Sequence, residues 1–129
     1  MMLYEKSLKI LELREILEML AYEAVSETAK EAARALRPSG DTHTVRSCLD
    51  ETTAAKNMMT LRSSPPFSGV KDVRGSLRRA SMSGMLNTRE LLDIAALLRA
   101  SASAIAYSSG EKAGEKTAID YLFTALNSN

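Results

Sequence analysis

Few residues in this sequence stand at a spacing that could do chemistry. The nearest is GEKAGEKT, residues 110–117. It shares Gly110, Lys116 and Thr117 with a phosphate-binding loop of the form G-x-x-x-x-G-K-[ST]. Glu115 stands where the second glycine must let backbone amides approach the phosphates, and its carboxylate repels them. Such a loop follows a β-strand, whereas LLRASASAIAYSS precedes this one, so the segment reads as a solvated linker between helices. Glu90 and Asp93 share a helical face, but a metal needs further oxygen or nitrogen ligands, and they read as surface charge. His43 stands at a helix start with only Asp41 and Asp50 near it in sequence, and it reads as a surface histidine. Cys48 falls on the expected inner face of a helix and reads as a small core residue rather than a nucleophile. No catalytic residue, cofactor-binding residue or metal ligand is predicted in this stretch.

Charge carries more information than these motifs. The chain totals +1, yet residues 62–89 hold six basic residues against one acid, a local sum of +5 against −4 elsewhere. Lys71, Arg74 and Arg78 are three and four apart, which puts them on one face of a short helix, with Arg79 beside them. This is the candidate nucleic-acid contact: Lys71, Arg74, Arg78 and Arg79, set to meet phosphates. The same cations could instead pair with acids on neighbouring helices. Phe67 is the one aromatic in the run, so base stacking has little to rest on.

The elements that position these residues are helices. Leu13, Ile16, Leu17, Leu20, Ala21 and Ala24 form an apolar stripe at helical spacing. Ser26 caps a second helix with stripe Ala29, Ala32, Ala33 and Leu36, which Pro38 ends. Asp41 or Thr42 caps a third, with Val45, Cys48, Leu49, Thr52, Ala55 and Met59 along one side. SSPPFSG breaks the chain before a short helix with Val70, Val73, Leu77 and Ala80 inward, and Gly84 takes the left-handed position at its end. Asn87 and Glu90 form a capping box for a helix bearing Leu91, Ile94, Leu98, Ala102 and Ile105 and running to about Tyr107. A last amphipathic stretch spans residues 117–126.

Composition agrees. Of 129 residues, 45% are apolar but only 5% aromatic, which suits helices packed on helices better than a β-sandwich. One Cys and one His exclude a disulfide framework and an all-Cys/His metal site. No apolar run of signal-peptide or membrane-span length is seen, so a cytoplasmic protein without membrane contact is expected.

Three separated blocks, in order, carry a family resemblance. The first contains Leu11, Glu12, Ile16, Leu17, Leu20 and Ala21, then Ser26, Ala29, Lys30, Leu36 and Pro38 as S-x-x-(G/A)-K-x-x-A-x-x-L-x-P. The second holds Val45, Leu49, Glu51, Thr52 and Ala54 or Ala55. The third runs from Pro65 to Arg99 as P-P-F-x-G-(L/V)-x-D-(I/V)-R-x-x-L-x-R-A and L-x-x-x-E-L-L-x-I-x-x-x-L-R. Together they resemble the opening of the second bacterial type of MutS protein, over about residues 4–107.

The resemblance implies an all-α, bundle-like core of five to six helices, part of the core and lever region. Residues 1–107 form the helical N-terminal core, and residues 108–129 a linker and the start of a further helix. The family's P-loop ATPase, with its ATP and Mg, and its C-terminal endonuclease lie outside this stretch. The implied partners of the parent protein are branched or recombination-intermediate DNA, a second copy in a homodimer and, for some members, the ribosome. The implied role is suppression of recombination. In that setting this stretch is non-catalytic and transmits motion between ATPase and DNA-contacting parts. The alternative is a free-standing helical module that binds a protein partner.

Overall fold

Glu12 sets the start of the helix that carries the Leu13 stripe. Its backbone is left-handed, with φ 52°, and it separates α1 (Met2–Ile10) from α2 (Leu13–Glu23). A computed structural model describes residues 2–109 and 116–126. After α2 follow α3 (Glu27–Ala35), α4 (Thr42–Arg62), α5 (Arg74–Ser81), α6 (Thr88–Ser108) and α7 (Asp120–Thr124). The described residues are all-α, with seven helices rather than five to six and no strand.

The helix starts follow the expected capping chemistry. The Ser26 side chain accepts from the amide of Ala29 at 3.2 Å, and the Asp41 carboxylate from that of Thr44 at 2.8 Å. Asn87 and Glu90 close a reciprocal capping box, with both bonds at 2.9 Å. The end of α5 differs from expectation. Ser83, not Gly84, holds the left-handed position, with φ 60°. Gly84 is needed for a different reason: its amide donates to the Arg79 carbonyl at 2.8 Å, and a Cβ on it would stand 2.8 Å from that same oxygen. The last helix is shorter than residues 117–126. The Asp120 carboxylate accepts from the amide and hydroxyl of Thr117, at 2.8 and 2.6 Å, and α7 begins only at Asp120.

Burial is sparse. Leu17, Ala21 and Ala33 are buried where α2 packs on α3. Arg34 reinforces that pair from outside, its Nε 3.0 and 3.1 Å from the two Glu18 carboxylate oxygens. Met58, Ala104 and Ile119 are buried in α4, in α6 and just before α7, and Val73 is buried in the connection to α5. The ends of α4 and α6 are pinned together. Arg62 donates to the carbonyls of Tyr107 and Ser108, at 2.6 and 2.7 Å, and the Tyr107 hydroxyl donates to the Ser63 carbonyl at 2.7 Å. This satisfies carbonyls that the last turn of α6 leaves without helical partners.

Several stripes expected to face inward face solvent. On α4, Val45, Cys48, Leu49, Thr52 and Met59 are exposed, and the covered side carries Glu51, Ala54, Ala55 and Met58. Cys48 is therefore a surface thiol and not a core residue. On α6, Leu91, Leu98 and Ala102 are exposed while Ile94, Leu97 and Ala104 turn inward. Leu77 of α5 is half exposed. Helices apolar on more than one side have two candidate inner faces, and spacing alone does not choose between them. The exposed area is 10517 Å², against about 6,700 Å² for a closed globular chain of 14.1 kDa. The excess of about 3,800 Å² reflects helices whose outer faces stay open to solvent. One further departure concerns α6, which by length and composition alone meets the mark for a membrane-crossing helix where no such run was expected.

Candidate nucleic-acid interface

The four cations singled out by sequence gather around α5, but not on one face of it. Lys71 precedes the helix, in the connection that leads to it, and Arg74 is its first residue. Arg78 and Arg79 lie in its last turn. All four are exposed.

Acids claim two of them. Asp72 accepts from the Arg74 guanidinium at 2.9 Å (Nε) and 2.6 Å (Nη2), and from the Arg74 amide at 3.0 Å. These charged bonds hold the Asp72 carboxyl down to about 2, well below its ordinary 3.8. Glu31 of α3 stands 3.6 Å from the same guanidinium. Arg79 pairs with Glu90, the residue that also closes the capping box and accepts from the Ser76 hydroxyl at 3.3 Å. Three carboxylates thus stand among the four cations. Lys71 and Arg78 make no ion pair among the described residues. Nearby Arg89 lies 3.6 Å from Asp93. Two free cations on an exposed turn can meet phosphates loosely and reversibly, and no base-reading side chain accompanies them.

The remaining candidates are dispersed. Gly110 and Glu115 of the loop-like motif lie outside the described residues. The Thr117 hydroxyl is committed to Asp120, and the element before the motif is helix α6, not a strand. His43 is exposed in the first turn of α4, beside a shallow depression shared with Arg46, Asp50 and Glu51. Glu90 and Asp93 are occupied by Arg79 and Arg89. No group of three metal-capable side chains occurs among the described residues.

One feature that sequence reasoning missed is an open apolar groove of about 340 Å³, lined by Met58, Met59, Phe67, Tyr107, Leu122 and Phe123 among others. Its residues come from α4, the Pro65–Phe67 turn, α6 and α7, so no single stripe announces it.

No family model matches the chain. Curated relatives do. An Endonuclease MutS2 of Acetivibrio thermocellus is 37% identical over 127 residues, 97% of this chain and 16% of the relative. One of Geobacillus thermodenitrificans is 41% identical over 97 residues, 75% of this chain and 12% of the relative. A Putative endonuclease MutS2 of Bacillus subtilis is 35% identical over 96 residues, 74% of this chain and 12% of the relative. The chain therefore spans less than a fifth of the length of these relatives. The resemblance carried by the three sequence blocks holds along most of its length: the chain is a MutS2-related sequence.

Proposed function

We propose that this chain is a non-catalytic helical unit of a MutS2-type protein. In this reading the longer protein binds ATP and Mg elsewhere, acts in the cytoplasm on branched DNA or recombination intermediates, and so suppresses recombination. Some members would act at ribosomes. The seven helices described here would carry motion between the ATPase and the parts that touch DNA.

The observation that carries the reading is the relationship to MutS2 sequences over nearly the whole chain, joined to a fold that leaves about 3,800 Å² of excess surface. Helices pinned end to end by Arg62 and Tyr107 suit a part that moves as a body, because packed elements shift between discrete arrangements rather than bending continuously. The scarcity of chemistry fits as well. The candidate acids are already engaged by arginines, and the candidate loop lacks its second glycine.

The test is direct. The purified 129-residue chain is assayed for ATP hydrolysis, for cleavage of a four-way DNA junction, and for binding to that junction. No turnover and at most weak, salt-sensitive binding through Lys71, Arg78 and their paired neighbours Arg74 and Arg79 are expected. Steady ATP turnover or junction cleavage by this chain alone overturns the proposal.

A further inference from the structure

α2 is apolar on two sides and buries only one. Leu17 and Ala21 are covered where it meets α3. The solvent side carries a second stripe at helical spacing, Ile16, Met19 and Leu20, with Tyr22 beside it. All four are exposed, Met19 at 72% and Tyr22 at 86%. Acids accompany this stripe. Glu23 stands in line with it, three residues after Leu20 and four after Met19, and Glu15 lies one turn before Met19. Both carboxylates are exposed, and neither makes an ion pair among the described residues. The nearby cations are turned elsewhere: Arg34 binds Glu18, and Arg14 acts on that same carboxylate.

We infer that this face docks a basic amphipathic helix of a separate protein. The partner's apolar stripe lies on Ile16, Met19, Leu20 and Tyr22, and its lysines or arginines meet Glu15 and Glu23. Charge selects this occupant. A two-fold contact sets the same patch against itself, so a second copy would gather four carboxylates with no cation among them. Anionic lipid surfaces and nucleic-acid phosphates are repelled for the same reason. Lasting interfaces are more apolar and exclude charge from their cores, so carboxylates in line with the stripe mark a contact that forms and dissolves. This goes beyond the proposed role in a longer protein and does not depend on it.

The test uses the 129-residue chain and a fluorescein-labelled peptide of leucine and lysine, with leucine at helical spacing and lysine on the flanks. Fluorescence anisotropy reads the affinity, and amide chemical shifts read where the peptide sits. Saturable one-to-one binding that perturbs α2 and weakens with salt is expected. Two control peptides, one with glutamate in place of lysine and one with the same residues scrambled out of helical register, should bind at least about tenfold more weakly. Glu15→Lys with Glu23→Lys should weaken binding by about tenfold or more, and Met19→Gln severalfold. Asp50→Lys, which reverses an exposed and unpaired acid on α4, should leave it unchanged. Far-UV circular dichroism confirms that each variant keeps its helix content. Absence of binding overturns the inference. So does equal binding of either control peptide, indifference to the α2 variants, or an effect of Asp50→Lys as large as theirs. Binding of phosphatidylglycerol vesicles through α2, or a dimer that Met19→Gln disrupts, assigns the face to another occupant and overturns it as well.

Discussion

Substituting alanine at Gly75 and at Gly84 moves the stability of the α5–α6 region in opposite directions. Gly75 lies inside α5, and a Cβ built on it meets nothing within 4 Å. Alanine there removes the entropic penalty of a helical glycine, a gain of about 0.5–1 kcal/mol. Gly84 has no such room. Its Cβ would stand 2.8 Å from the Arg79 carbonyl oxygen and 3.3 Å from the carbonyl carbon, both backbone atoms that cannot rotate aside. Backing away lengthens the 2.8 Å bond from the Gly84 amide to that oxygen, which closes the helix. Overpacking of this kind costs about 1–3 kcal/mol. The two variants therefore differ by about 1.5–4 kcal/mol. Ser83→Gly supplies a third reading: relieving the left-handed serine gains about 1 kcal/mol. Amide hydrogen exchange across residues 74–90 measures the local opening free energy for each variant. A Gly84→Ala variant as stable as the parent, or a destabilised Gly75→Ala variant, would falsify this account of the turn.

Arg62→Ala removes two short charged hydrogen bonds to the end of α6 and destabilises the α4–α6 junction by about 1.5–3 kcal/mol, read by urea unfolding. Tyr107→Phe deletes one neutral bond there and costs about 1 kcal/mol. Asp72 has a folded pKa below its ordinary 3.8, so its contribution to stability is present above that value and is lost as pH falls toward 2. A carboxyl-detected NMR titration should place its midpoint near 2, and Arg74→Ala should return it toward 3.8. With two free cations, any junction binding by this chain should fall about tenfold between 50 and 200 mM salt, and Lys71→Ala with Arg78→Ala should flatten that slope.

The local grammar was legible in the sequence because capping is a matter of three or four residues. Ser26, Asp41 and the Asn87–Glu90 box stand where their side chains predicted. The breaks at Pro38 and Pro65–Pro66 fall as expected for the same reason. Which stripe faces inward was not legible on α4 or α6. Both helices are apolar over more than half their circumference, so Leu98 and Leu97, or Met59 and Met58, compete on equal terms. The basic cluster was read correctly as a run and too simply as a face. Arg74 opens α5 and Lys71 lies before it, so the helical spacing joining them has no helix to act on. The acids that engage Arg74 and Arg79 come from positions as distant as Glu31, beyond any local pattern.

The separation of the buried residues bears on how this chain comes apart. Leu17, Ala21 and Ala33 belong to α2 and α3, whereas Met58, Val73, Ala104 and Ile119 belong to the later helices and the segments that lead into them. An exposed polar contact spans the two groups, with Arg74 standing near Glu31. Contacts of that kind hold orientation but transmit little cooperativity. The N-terminal three helices and the later four should therefore melt as separate units. Calorimetry would then record a total heat larger than the heat implied by the steepness of either transition. A chain built this way can loosen one half while the other stays folded.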